Sequence, residues 1–364
     1  MATVTVDPEA PESSGVRVIA CDESASEGEN LMMSTHPVFV HGSVNLSLEE
    51  ATELRDEMRV AMRAQAPEMK SKTALAPRNR GALLDAMRAM ENKANIYFVE
   101  KSYFVVGKLI DLLIAEMDTD DDIDVAGSGL GRRLAEHLHD AGPAAVGLER
   151  WNALLSTYNA VIRSYVREDD QPPTIQPFLA ALRAARVACT DSTVRRILDD
   201  LWAARYLALE YEGASPVDLR VLDPMAPSLA SVSMTWHLRL RGEPFTFLVD
   251  NYSLLTEDVR DAIVGASRVP LTVGPVELPR ADLRGIQMID SRLDARVQIA
   301  DVVAGVGREV ARLAMSGVFD DELQEATHEM LDFNVMCSSG SPLNELTDLK
   351  PLRYFDSWMA DQRP

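Results

Sequence analysis

Cysteine is scarce in this 364-residue chain: Cys21, Cys189 and Cys337 are odd in number and far apart. That excludes a disulfide framework and a zinc knuckle, and a reducing, cytoplasmic setting is the expectation. No apolar run approaches the roughly 18 residues a membrane helix needs, which excludes a membrane span. Residues 1–15 have neither a basic segment nor a long apolar stretch, so they do not read as a signal peptide and are expected to form a mobile tail. Basic residues are also short, 36 against 57 acidic ones, a formal net charge of −21. A broad nucleic-acid-binding face should be basic, so this deficit argues against one. What is present is ordinary globular material: 46% apolar and 26% charged residues leave ample substance for a core and exclude a fully disordered chain.

Order is expected from Val16. Residues 16–21 form a short apolar, β-branched run that reads as a buried strand, ending in Asp22-Glu23-Ser24. After a polar loop, residues 38–44 read as a second strand, and the pair predicts an antiparallel hairpin. Ser47-Leu48-Glu49-Glu50 carries the capping-box pattern that starts a helix, and Pro67 ends its apolar stripe. A helix over residues 80–92 and a third strand at residues 96–99 follow. Residues 102–213 are mostly helical in pattern and read as an insertion. Strands return at residues 245–249, ending in Asp250, and at residues 286–289, ending in Asp290, each followed by a helix. Adjacent early strands imply an antiparallel portion, and later strands alternating with helices imply a parallel one. The expected fold is α/β, a mixed sheet flanked by helices. Its core would be residues 16–101 and 214–316, with the helical insertion at 102–213 and a helical or loop-rich extension at 317–364.

Three predicted strands therefore end in an aspartate, and strand C-termini are where open α/β sheets place their sites. Residues two apart share a strand face, so Val18, Ala20 and Asp22 align, while Ile19, Cys21 and Glu23 face the other way. Only one of Asp22 and Glu23 is then expected to be a direct ligand. Thr246, Leu248 and Asp250 align by the same rule. In the last helix Asp294, Gln298, Asp301 and Gly305 form one stripe, and Ile299, Val302, Val303, Val306 and Val310 form the apolar one. Asp301 lies inside a hydrophobic run, where an ionised carboxylate needs a cation or donors. Gly305, one turn on, has no side chain to keep a ligand or strand away. Glu68-Met69-Lys70 reads either as a charged loop or as a metal-binding glutamate with a lysine for a phosphate.

Taken in order, Asp22-Glu23-Ser24, Glu68-x-Lys70, Asp250, Asp290-Ser291-Arg292 and Gln298-Ile299-Ala300-Asp301-Val302-Val303-Ala304-Gly305 give a pattern that resembles the family catalogued as domain of unknown function 3800, grouped with the RNase H-like fold. The likeness runs over residues 16–316. It implies a metal-dependent nuclease with Asp22, Glu68, Asp250 and Asp301 as catalytic metal ligands. It also implies Lys70 beside the phosphate, and Glu23, Asp290, Ser291 and Gln298 as supporting or alternative residues. Gln298 is expected to bond a phosphate or sugar. Two Mg²⁺ (or Mn²⁺) ions about 3.5–4 Å apart would clamp the scissile phosphate, and hard carboxylate oxygens suit them.

The acidic balance keeps an alternative open: a catalytically idle module of this fold acting through protein partners or as a homo-oligomer, for example in a defence system. Hydrolysis of small nucleotides is a third reading. A nuclease of this charge needs a local basic cleft, for which Arg78, Arg80, Arg292 and Arg296 are the candidates. Other signals are discounted. The acidic run Asp118, Asp120, Asp121, Asp122 and Asp124 lacks the glycine and glutamate of a calcium loop. Gly127-Ser128-Gly129-Leu130-Gly131 lacks the Lys-Ser/Thr of a phosphate loop. His137 and His139, two apart on a helix, read as surface residues. Cys21, Tyr97, Phe98, Tyr103 and Phe104 read as core.

Overall fold

The computed structural model describes residues 16–26, 30–66, 68–115, 129–162, 174–211, 223–269, 271–273, 276–278, 280–332 and 335–346. The tail, Pro67, the acidic run, Gly127 and Ser128 lie outside them, as do residues 347–364 of the C-terminal extension.

The chain opens with β1 (Arg17–Ser24) and β2 (Val38–Val44). Helix α1 (Leu48–Ala61) starts at the expected capping box: Ser47 Oγ accepts from the Glu50 N–H and the Glu50 carboxylate accepts from the Ser47 N–H. Then come α2 (Ser71–Ala74), α3 (Arg80–Ala89) and β3 (Ala94–Glu100), which runs straight into α4 (Lys101–Ile110). A helical layer follows, with α5 (Leu130–Val146), α6 (Leu148–Ile162), α7 (Gln176–Ala188), α8 (Ser192–Ala203) and α9 (Met225–Arg239). The chain returns to the sheet with β4 (Phe245–Asp250), α10 (Glu257–Ser267), the small hairpin β5 (Leu271–Val273) and β6 (Val276–Leu278), and β7 (Leu283–Ile289). The long α11 (Ala295–Met315) and short α12 (Asp321–Thr327) close it.

The main sheet has the order β3-β2-β1-β4-β7. Its first two junctions are antiparallel and its last two parallel, the mixed arrangement expected. One boundary differs. β1 does not end before Asp22: its pairing with β4 stops at Cys21↔Val249, but its pairing with β2 continues through Asp22↔Gly42 and Glu23↔His41.

Strand parity divides the core. Val18, Ala20, Val40, Phe98 and Leu248 pack on one face beneath Ile299, Val302, Val303, Val306 and Val310 of α11. Ile19, Cys21, Phe39, Tyr97 and Phe247 pack on the other, in one continuous cluster with the buried residues of α4–α9. The helix α11 comes close because β2 carries Gly42, where an added Cβ would lie 2.5 Å from the Ala304 nitrogen. The outer edge of β3 is covered by the C-terminal segment: the Asp332 and Met336 N–H groups donate to Ile96 and Phe98 carbonyls at 2.8 and 2.9 Å.

Candidate carboxylate site

Asp22 and Asp250 lie on the α11 face, near the C-terminal ends of neighbouring strands, and α11 brings Asp301 to the same place. Burial pushes the Asp22 carboxyl well above its ordinary value, and the charges of Glu23, Asp301 and Asp250 add to the effect. Asp22 is only 6% exposed. Its Oδ1 accepts from the Glu23 N–H at 2.8 Å.

The loop before α2 supplies the rest. Glu68 Oε1 pairs with Lys70 Nζ at 2.5 Å and accepts from Ser291 Oγ at 2.9 Å. Ser71 holds Asp301, its N–H donating to Oδ2 at 2.7 Å and its Oγ to Oδ1 at 3.2 Å. Gly305 permits this approach: a Cβ there would sit 2.2 Å from the Ser71 Cβ. The neighbour that this glycine admits is thus a segment of the chain itself. Burial raises the Asp301 carboxyl, although Ser71 and Lys70 pull it back. Burial works against the Lys70 ammonium, but its bond to Glu68 and the charges of Asp301, Glu68 and Asp22 outweigh that and raise its pKa.

Ser291 is the hub. Its N–H donates to Asp250 Oδ1 at 3.0 Å, its Oγ meets Glu68, and Lys70 Nζ reaches the same Oγ at 3.4 Å. Gln298 has a structural role. It is 2% exposed, its Oε1 accepts from the Met69 N–H at 3.0 Å, and its Nε2 donates to the Ser291 carbonyl at 2.9 Å. Both ends of its amide take part in fastening the Glu68 loop to Ser291.

Glu23 faces the helical layer, as parity requires, near Asp223 and Tyr252. Its side chain nevertheless interacts with that of Asp22. Burial first, then neighbouring acids, raise its carboxyl to about 7. Two carboxyls so close titrate as a pair.

Asp290 is paired with its own arginine. Its carboxylate caps the short turn Ser291–Leu293 through the Arg292 N–H and pairs with the Arg292 guanidinium, which holds it down at about 2. The expected arginine cleft is likewise answered by the chain's own acids. Arg80 bonds Asp320 and Glu322 at 2.6–2.8 Å, and Arg296 lies buried against Asp294 at 2.7 Å. Of the four, only Arg78 shows no such pairing among the described residues. His139 is also no plain surface residue: its ring contacts Ser102, Glu100, Asp140 and Tyr103.

Ser71 was not foreseen; its one sequence signal is its place directly after Glu68-x-Lys70. Among the described residues, no three His, Cys, Asp or Glu side chains are grouped so as to hold a metal ion as they stand. The donor set is all oxygen, with one lysine among the acids. Comparison of the chain with family models, with curated proteins and with solved structures returns no match.

Proposed function

We propose that the chain is an RNase H-like, divalent-metal-dependent nuclease, with residues 102–213 as a helical insertion and the end of the β1–β4 pair as its active site. The observation that carries this reading is the carboxyl of Asp22, raised first by burial and then by the charges of Glu23, Asp301 and Asp250, with Lys70 the cation at hand. Such a concentration of acid in a low-dielectric place is costly unless protons or cations answer it. Hard oxygen donors of this kind suit Mg²⁺ or Mn²⁺, and Asp22, Glu68, Asp250 and Asp301 would hold the ion. When bound, the ion supplies Lewis-acid stabilisation of phosphate charge and acidifies water. Lys70 offsets the charge of the entering phosphate. Ser291 and Gln298 keep the Glu68 loop against α11. The protons that burial keeps on Glu23 and Asp22 would leave more readily with a cation held there.

The test is cleavage of labelled single- and double-stranded DNA and RNA with Mg²⁺ or Mn²⁺, beside calorimetric titration of each ion. Asp22→Asn should abolish both binding and cleavage while the fold survives. Wild-type protein that binds neither ion, and an Asp22→Asn variant that behaves like it, would sink the proposal. A second reading has its own observation: both Asp301 oxygens already accept from Ser71. A catalytically idle module working through protein partners would keep those bonds permanently, and would function unchanged with all four acids replaced.

A further inference from the structure

A second set of reactive side chains lies away from the carboxylates, where β3 passes directly into α4. Ser102 Oγ is 2.9 Å from His139 Nε2, and His139 Nδ1 is 3.2 Å from Asp140 Oδ1. We infer that Ser102, His139 and Asp140 form a nucleophilic site that hydrolyses carboxylic esters with an apolar acyl part.

Four features support the roles. The first is the hydrogen-bond chain itself, nucleophile to base to orienting acid, which is recognised by geometry whatever the residue order. With Nδ1–H donating to Asp140, Nε2 is the acceptor that the Ser102 hydroxyl needs. The second is that Asp140 is held in place: its Oδ2 accepts from the Gly340 N–H at 3.2 Å and from Ser339 Oγ at 3.4 Å.

The third is the position of Ser102 in the first turn of α4. The Glu100 side chain does not cap that helix, and the Lys101 N–H is spent on the Pro37 carbonyl at 2.9 Å. The Ser102 and Tyr103 N–H groups have no partner among the described residues, so the turn offers donors beside the nucleophile. The fourth is Glu100, 4% exposed, with Oε1 3.4 Å from His139 Nε2 and Oε2 without a hydrogen-bond partner. The same Oε1 also accepts from Ser102 Oγ at 3.5 Å, so the carboxylate lies beside both nucleophile and base and faces the imidazole once Nε2 takes a proton.

The acyl part is assigned from the neighbouring cavity of about 590 Å³, whose apolar wall is Tyr103, Phe104, Ala135, Met336 and Cys337, with Lys108, Asp111 and Arg132 also lining it. Tyr103 belongs to both places: it lines the cavity, and its ring stands edge-on to His139 at 5.6 Å. Its size is that of a small-ligand pocket.

In the reaction, Ser102 Oγ bonds to the ester carbonyl carbon as its proton passes to His139 Nε2, and the carbonyl π pair moves to oxygen beside the first-turn N–H groups. Collapse breaks the ester C–O bond, and the leaving alkoxide takes the proton from His139 and departs as alcohol. Water then gives a proton to the same nitrogen and attacks the acyl-serine, which releases the acid and returns the proton to Ser102. No oxidant or cofactor enters.

The full-length protein is treated with a fluorophosphonate serine probe and digested for mass spectrometry, and 4-nitrophenyl butyrate hydrolysis is followed in parallel. The expected result is one adduct, on Ser102, with ester turnover lost in Ser102→Ala. In His139→Gln labelling should be at least about 100-fold slower. Asp140→Asn acts through His139, so it should displace the acid limb of the pH–rate profile as well as lower the rate. Folded wild-type protein that carries no adduct on Ser102 overturns the inference whatever the variants do. So does equal labelling of wild type and a folded His139→Gln.

Discussion

Two aspartates on α11, about two turns apart, meet opposite fates. Asp294 caps the helix and is 1% exposed, with the equally buried Arg296 guanidinium on its carboxylate at 2.7 Å. Asp301 is met by the hydroxyl and N–H of Ser71 and by the more distant charge of Lys70, with the acids Asp22 and Glu68 close by. The first is neutralised by a cation that is part of the chain. The second is held in position by neutral donors and shares its ground with other carboxylates. Asp290 belongs with the first kind, since Arg292 covers it. A carboxylate with its own arginine serves the fold, and a buried cluster without one is where an exchangeable cation has work to do.

The largest effect should come from breaking the arginine-answered side. Arg296→Met leaves Asp294 buried without its guanidinium, which costs about 3–5 kcal/mol. Urea denaturation should show this as a large fall in midpoint. The double variant Asp294→Asn/Arg296→Met, which keeps a capping side chain, should recover most of it. A single variant that loses less than about 1 kcal/mol would erase the contrast.

Asp301→Asn should do the reverse. Without divalent cation, folding stability should hold or rise slightly, because one repelling charge leaves the neighbourhood of Asp22. Cleavage should fall by about 100-fold or more, the scale of losing a ligand or its orienting partner. Ser71→Ala, which removes one of the two donors, should cost less cleavage than the ligand itself. Denaturation and cleavage assays on the same preparations check both. Should Asp301→Asn prove as destabilising as Arg296→Met, the two aspartates would be alike and the site reading would lose its basis.

How much of this the sequence discloses follows from what kind of information each feature needs. Strand parity is local, so the common face of Ala20, Asp22, Leu248 and Asp250 is readable in advance, and so is the apolar stripe of α11. The capping box at Ser47 is equally local. Helix α9 is not, because it buries Ser228, Ser233 and Thr235 beside Leu229, Val232 and Trp236, and polar residues at the packed face blur the apolar period. The pairing of Arg80 with Asp320, or of His139 with Ser102, joins residues far apart in the chain and has no local signature. Gln298 shows the same limit within a motif. Its place on the Asp301 stripe is legible, but the loop that its amide fastens is not.

The pH dependence of the metal-free protein sharpens the comparison further. The Glu23 carboxyl is raised from an ordinary 4.5 to about 7, and those of Asp22 and Asp301 are raised too. A raised folded-state value means the folded protein holds the proton more tightly than the unfolded chain. That stabilising contribution is complete below about pH 4.5 and is lost as pH climbs through about 7. In chelator, stability should therefore fall by about 1–3 kcal/mol between pH 5 and 8. Glu23→Gln should flatten the profile, and Mg²⁺ at pH 8 should restore what the pH removed. A profile that rises over this range would mean that these acids are better answered in the folded protein than their burial allows.

The smallest effect should be at Asp290, which tests whether the arginine-covered acids stand outside the site. Its carboxylate is held at about 2 by Arg292, so its contribution to stability is lost only in strong acid and lies outside the window in which Glu23 acts. The pair is exposed, where ion pairs contribute little. In Asp290→Asn the new side chain still accepts from the Arg292 N–H, so the turn that carries Ser291 keeps its cap. The freed guanidinium stays beside Glu68 and Asp250, whose charges it already feels. Cation affinity should therefore drop by less than about threefold, from the added positive charge alone, with no resolvable change in melting temperature. A loss as deep as that of Asp301→Asn would move Asp290 across the line, because an acid that its own arginine has already answered should not be missed by a metal.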